Sequence, residues 1–256
     1  MDLGLEKRCA LVAGASRGLG RATALALAAE GATVTAVARN AERLAQLSAA
    51  AKRPGSIAAR VCDLSDAVAI QGLAGQLGNV DVLVLNTGGP PPGTAEEIAD
   101  AAWMAHFEAM FLSAVRLTRL ALPGMRERRF GRIIAIVSSG VIQPIPNLAI
   151  SNAVRLALVG WAKTLAGEVA RYGITVNCLA PGRIATDRVA ELDRSQAERT
   201  GIELEEVKRQ ARASIPLQRY GEDAEFASVA VFLASTQASY ITGSLIRVDG
   251  GIIRCV

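Results

Sequence analysis

"CALVAGASRGLGRATALALA", residues 9–28, decides how the rest of the chain is read. Its first five residues are an unbroken apolar run, the pattern of a strand covered on both faces. Glycines at 14, 18 and 20 then mark a turn, after which apolar positions recur at helical spacing. A strand, a glycine-rich turn and a helix in immediate succession leave the helix's first N–H groups free beside backbone without side chains. Those donors and the positive end of the helix dipole favour a phosphate. Gly14, Ser16, Arg17, Gly18, Leu19 and Gly20 are the candidate contacts.

The same alternation continues outward. Apolar runs at 8–13, 33–38, 57–62, 81–86, 132–138, 173–179 and 245–248 predict seven strands. Helical patterns fall between them, notably at 20–31, 95–121, 149–171 and 222–235. Strand–helix alternation specifies an α/β fold, a doubly wound Rossmann sheet of seven mostly parallel strands with helices on both faces. No linker or repeat interrupts it, so residues 1–256 are expected to form a single domain. One insert stands apart: residues 184–214 are polar, highly charged and helical in pattern. Ligands of open α/β sheets bind beyond the carboxyl ends of the strands, where this insert would sit. It is expected to be a helical lid, with a plain surface excursion as the alternative.

Composition narrows the function classes. The chain of 256 residues is 51% hydrophobic with a net charge of +4. That small charge, without an Arg-rich tail, argues against nucleic acid as a partner. The cluster "MRERRFGR" (125–132) is expected to be a solvated loop, an acidic carrier protein being the alternative partner for it. No apolar run approaches the roughly 18 residues of a membrane span, and the first 20 residues lack a signal-peptide pattern, so the cytoplasm is the expected location. Cys9, Cys62, Cys178 and Cys255 are scattered without metal-ligand spacing and are read as structural thiols, with no metal site.

The spacing Gly-x-x-x-Gly-x-Gly at 14–20 resembles that of the short-chain dehydrogenases/reductases, and similarity to that family runs along nearly the whole chain. "CDL" (62–64) resembles the segment whose acid contacts adenine, which implies that role for Asp63, with Leu64 beside it. "LNTGG" (85–89) resembles the Asn-Asn-Ala-Gly strand end and implies cofactor contacts at Asn86, Thr87 and Gly88. "GRIIAIVSS" (131–139) places Ser138 at the active-site serine. "GITVNCLAPGRIAT" (173–186) resembles the strand and Pro-Gly turn flanking the nicotinamide, implying contacts at Pro181, Gly182 and Ile184. "YITGSLIRVDGG" (240–251) is similar to the C-terminal strand. The resemblance to ketoacyl reductases further implies a homo-oligomer, dimeric through helices 95–121 and 149–171 and tetrameric through "DGGIIRCV".

Charge selects the cofactor. NAD binders place an acid at the end of the second strand to hold the ribose hydroxyls. Here Ala38 and Arg39 stand there. Arg39 and Arg17 can clamp a 2′-phosphate instead, so NADP(H) is the expected cofactor.

The catalytic positions depart from the family. Thirteen residues after the serine the family has Tyr, and four later Lys, which binds the nicotinamide ribose and lowers the tyrosine's pKa. This chain has Ser151 and Arg155 there. The family's Asn in the helix after the fourth strand corresponds to Met110. Ser138 alone is kept. Tyr172, Tyr220 and Tyr240 lie outside the usual catalytic set, and Lys163 is two turns past Arg155. His106 is the remaining candidate proton donor, with a helix surface as the alternative. Serine is a far weaker acid than a tuned phenol, and arginine does not relay protons. Ser138, Ser151 and Arg155 instead make a donor cluster suited to an oxyanion or carboxylate, with Gln143, Asn147 and Asn152 nearby in sequence. The Thr-Gly-Gly-Pro loop and the Ser-Asn-x-x-Arg helix start together resemble a divergent branch of these reductases.

Three functions remain open on the sequence. One is an NADP(H)-dependent oxidoreductase acting on a small molecule, at a carbonyl/alcohol pair or an activated double bond. Another is a non-redox lyase or isomerase on the same fold. The third is a non-catalytic NADP(H)-binding module.

Overall fold

All seven expected strands are present in the computed structural model, which describes residues 2–51 and 54–255. They are β1 (Cys9–Ala13), β2 (Thr33–Ala38), β3 (Ser56–Val61), β4 (Val82–Leu85), β5 (Gly131–Ile136), β6 (Ile174–Pro181) and β7 (Leu245–Val248). They form one sheet in the order β3-β2-β1-β4-β5-β6-β7, and every neighbouring pair is parallel. The winding reverses between β1 and β4, where a doubly wound sheet opens its binding crevice.

Alternation along the strands sends successive residues to opposite faces. Leu11, Leu83, Ile133 and Val176 pack on one face, against Leu117 of helix α5 (Ser113–Glu127) and Leu158 and Leu165 of α6 (Ala149–Val169). Val12, Val34, Val84 and Ile134 pack on the other, against Leu27 of α1 (Gly18–Ala29) and Phe226 of α9 (Asp223–Ala234). Both faces are dry. This explains why the strands read as unbroken apolar runs.

Two shorter helices have their starts fixed by side chains. Asn40 accepts from the Arg43 N–H at 2.8 Å to begin α2 (Ala41–Ala50), and Asp66 accepts from Val68 and Ala69 to begin α3 (Ala67–Gly72). The helix expected over 95–121 is instead α4 (Asp100–Phe107), a π-helical turn at Glu108–Leu112, and then α5. The wider turn rotates the faces that follow it. Met110 lies within this turn and packs on Ile150 and Val154 of α6.

The insert folds as α7 (Asp187–Thr200), ended by Gly201 at φ +68°, and α8 (Leu204–Ala213). Its inner anchor is Asp193, 1% exposed, which pairs with Arg183 and accepts from the Tyr220 hydroxyl at 2.8 Å.

The cluster at 125–132 is not the solvated loop expected from its charge. Arg128 turns inward to Asp81 (3.0 Å), Asn79 and the Val80 carbonyl. Arg132 is 3% exposed within β5 and donates to the carbonyls of Ser235, Gly131 and Gly173. Strand register dictates this: Arg132 sits between Val82 and Thr175 in the middle of the sheet. Cys9, Cys62 and Cys178 lie in or beside strands, and all four thiols are free. No described helix is long and apolar enough to cross a membrane, and among the described residues no acid, His and Cys cluster could hold a metal.

Candidate functional site

A cleft of about 1040 Å³ opens above the carboxyl ends of β1, β4, β5 and β6. Of the candidate cofactor and catalytic residues, all but one line it: Gly14, Ser16, Arg17, Gly18, Leu19, Arg39, Asp63, Leu64, Asn86, Thr87, Gly88, Ser138, Ser151, Arg155, Pro181, Gly182 and Ile184. Gly20 does not. It is buried beneath the turn, and its role is to let the turn close.

The β1–α1 turn is set by backbone. A Cβ on Gly14 would lie 2.2 Å from the Asn86 carbonyl oxygen, and one on Gly20 would lie 2.4 Å from the Gly14 carbonyl oxygen. Asn86 locks the arrangement by donating its side-chain amide to the Gly14 carbonyl at 3.1 Å. Asn86 is thus first a staple between β4 and the turn. Arg17 occupies the N-cap position of α1 without a side-chain cap, and no acid stands in the first turn. The leading N–H groups of α1 are left for an anion.

At the far end of the cleft Arg39 and Arg43 are exposed, and no described carboxylate pairs with either. Arg43 was not picked out in sequence, although its place one turn into α2 follows from the Asn40 cap. Asp63 accepts from the Ser65 N–H (2.9 Å) and hydroxyl (2.7 Å), which hold its carboxyl below the usual range. Both bonds use one oxygen, so the other is free to accept.

The corner at the start of α6 is built from side chains. Ser138, two residues past β5, accepts from the Gly140 N–H at 3.1 Å to start a short 3₁₀ turn at Ser139–Val141. Its hydroxyl proton therefore remains to be given. Ser151 sits in the first turn of α6, 7% exposed, with its hydroxyl on the cleft. Arg155, one turn on and equally buried, donates to the Ile136 carbonyl at 2.7 Å and to the Gly88 carbonyl. Burial lowers its pKa to about 10, so it is charged at neutral pH.

Met110, with Ile150 and Val154 behind it, closes this corner with apolar surface where the resemblance implied an Asn. His106 and Gln143 line the cleft; Asn147 and Asn152 do not. Asn152 instead ties down residue 145 through both its amide oxygen and nitrogen (3.2 and 2.9 Å). Tyr220 is engaged by Asp193, Tyr240 is fully exposed, Tyr172 packs under Arg126 and Arg171, and Lys163 donates to Gly243. None of them lines the cleft.

The insert meets the cleft through charges that the sequence did not disclose. Glu191 of α7 accepts from Arg17 at 3.0 Å, with Asp187 at 3.9 Å. Arg188 reaches the Pro90 carbonyl across the loop that follows β4. Thr186 lies 3.6 Å from where a Gly18 Cβ would stand.

The family described as Enoyl-(Acyl carrier protein) reductase matches residues 14–253, the whole span from first turn to last strand. The chain belongs to the short-chain dehydrogenase/reductase family. Among relatives of this short-chain reductase is the NADPH-dependent reductase BacG of Bacillus subtilis, 34% identical over 98% of this chain and 100% of that protein. Another is the 3-oxoacyl-[acyl-carrier-protein] reductase FabG of Salmonella typhimurium, 37% identical over 98% of this chain and 99% of its own length. In three dimensions it is similar to L-sorbose reductase from Gluconobacter frateurii, solved with NADPH and L-sorbose. There the TM-score is 0.93 at 32% identity, with both chains covered in full.

Proposed function

We propose that this chain is an NADP(H)-dependent reductase of a small molecule, acting at a carbonyl or an activated double bond. The observation that carries this reading is the β1–α1 turn: two glycines whose Cβ atoms would strike backbone, under an uncapped helix start. That close backbone packing keeps the turn free of side chains and leaves the first N–H groups of α1 without a partner from a cap or an acid, and a pyrophosphate fits them. The exposed Arg39 and Arg43, with no acid at the end of β2, support a 2′-phosphate over a bare ribose. BacG is described as NADPH-dependent and L-sorbose reductase was solved with NADPH, which points the same way.

Bound NADPH supplies the hydride. The Ser138 and Ser151 hydroxyls orient the oxygen of the substrate, while Arg155 stabilises the negative charge that develops there. Arg155 also offers donors to the nicotinamide ribose. Neither serine is acidic enough to give up a proton outright, so the proton comes from water entering the open cleft or from the substrate itself. His106 stands on the cleft wall as a further source. The helices α7 and α8 cover the site as a lid. Met104 of α4 and Leu156 of α6, 69% and 54% exposed, support burial of these helices in a homo-oligomer, and the cytoplasm suits four free thiols.

The test is a calorimetric titration of the pure protein with NADPH and NADH. NADPH is expected to bind at least about tenfold more tightly. Failure of both nucleotides to bind overturns the reading. Tight NADPH binding without turnover on any of a broad carbonyl and enone panel favours a non-catalytic binding module.

A further inference from the structure

Arg155 is a buried cation without a counter-ion. Among the described residues no carboxylate pairs with it, and its charged neighbour is another cation, Arg188. Taking a guanidinium out of water is unfavourable unless something offsets the charge. Two backbone carbonyls, Ile136 and Gly88, take only two of its five N–H donors. Arg188 comes from α7 on the opposite side and reaches the Pro90 carbonyl. Gly88 and Pro90 are two residues apart, so the carbonyls holding the two guanidiniums are at most about 7 Å apart. Gly89 lies between them, and a Cβ there would stand 3.1 Å from Arg188 Nε.

Two like charges this close repel unless an anion joins them. Arg188's carboxylate partner, Glu191, is 3.7 Å away and is shared with Arg17. Among the described residues no carboxylate pairs with Arg155 and only Glu191 pairs with Arg188, although Ser138 and Ser151 line the same wall. Met110, backed by Ile150 and Val154, gives that corner an apolar side, and lower local polarity strengthens any ion pair formed.

We infer that the substrate carries a carboxylate, held between Arg155 and Arg188 while its reducible group faces Ser138 and Ser151. This rests on the nucleotide-dependent reading above and names the class of molecule reduced: an oxo acid or an unsaturated acid rather than a neutral ketone or sugar. Arg188 sits on the lid, so an acid bridging the two arginines also draws α7 onto the site.

The experiment uses protein saturated with NADP⁺, so that binding is read without turnover. Two matched pairs are titrated by calorimetry: pyruvate against pyruvamide, and levulinate against levulinamide. In at least one pair the acid is expected to bind tenfold or more tightly than its amide, roughly what charge-assisted hydrogen bonds supply over neutral ones. In Arg188→Gln that preference is expected to fall to about threefold or less, with NADP⁺ affinity changed by less than about twofold. Arg155→Met should abolish the preference as well; Arg188→Gln, on a part-exposed helix, remains informative if that buried variant does not fold. The inference is overturned if acid and amide bind alike in both pairs. It is also overturned if Arg188→Gln weakens NADP⁺ and leaves the acid preference intact, which would assign Arg188 to a cofactor phosphate. If NADP⁺ itself does not bind, the reductase reading falls and takes this one with it; nucleotide binding with no acid preference removes only the carboxylate.

Discussion

A Cβ placed on Gly14 would lie 2.2 Å from the Asn86 carbonyl oxygen; placed on Gly88, across the cleft, it would meet nothing within 4 Å. Both glycines have positive φ, +59° and +75°. The first belongs to the nucleotide cradle, where backbone lies against backbone and an amide side chain staples the two. The second belongs to the corner at the start of α6, where the loop after β4 is held from outside by the guanidiniums of Arg155 and Arg188. A site built from backbone contacts leaves almost no latitude for substitution. One built from side-chain hydrogen bonds can be rebuilt with other side chains, and this is where the chain has Ser151, Arg155 and Met110 and the resemblance implies Tyr, Lys and Asn.

The difference should be largest in paired glycine variants. Gly14→Ala combines left-handed strain with a collision against backbone that cannot step aside, and should cost about 3–5 kcal/mol. In a chain of this size that is a fall of roughly 6–20 °C in melting temperature, with NADPH affinity reduced by about 100-fold or more. Gly88→Ala carries the strain alone, about 1–2 kcal/mol, and should leave NADPH affinity within about threefold. Thermal melts and calorimetry on the two variants check this. Equal losses would mean that the cradle is no more constrained than the corner.

Rebuilding the corner gives the next effect. Ser151→Tyr combined with Arg155→Lys introduces a phenol and an ammonium at the positions where the resemblance implies them. General acid help is worth about 10²–10⁴-fold, so reduction of a simple aldehyde by NADPH should rise at least about tenfold over the native chain. The loss of absorbance of NADPH reads it directly. If nucleotide binding persists and the rate does not rise, the apolar wall at Met110 has altered more than the proton donor, and Met110→Asn becomes the variant to add. The two Arg155 carbonyl bonds are lost in part in this variant, so its stability should fall by about 1–3 kcal/mol.

The cradle and the sheet were legible in sequence because their physics is local. Leu11, Val12 and Ala13 alternate between two dry faces, and that alone produces the unbroken run from which β1 was read. Glycines forced by backbone approach keep their spacing. Three features escaped for the opposite reason. The π turn at Glu108–Leu112 lengthens the hydrogen-bond span by one residue, which leaves no mark in the apolar pattern around Met110. Charge density gave no direction to Arg128, drawn in by Asp81 from the end of α5, or to Arg132, placed by strand register. The lid's role depends on Glu191 and Arg188 meeting residues 174 and 98 positions away. The insert could be placed over the site from topology, but which of its charges touch the cleft could not.

One of those charges sets the smallest effect. Arg17 was expected to serve the 2′-phosphate, and in the structure it is held by Glu191 of the lid. The Arg17 hydrogen bond keeps the Glu191 carboxyl below its ordinary value of 4.5. A carboxyl lowered in the fold is charged, and its pair intact, at neutral pH; the pair is lost only as pH falls through that lowered value. At pH near 8 Glu191 therefore competes with a phosphate for the same guanidinium. An exposed pair is worth about 0.2–1 kcal/mol, so Glu191→Gln should tighten NADPH binding by at most about fivefold and leave NADH unchanged. The two nucleotides differ only in the 2′-phosphate, which makes their ratio the measurement. If Glu191→Gln weakens both together, the pair acts to hold α7 closed over the dinucleotide as a whole. Arg17 then belongs functionally to the lid, and the selection for NADP(H) rests on Arg39 and Arg43.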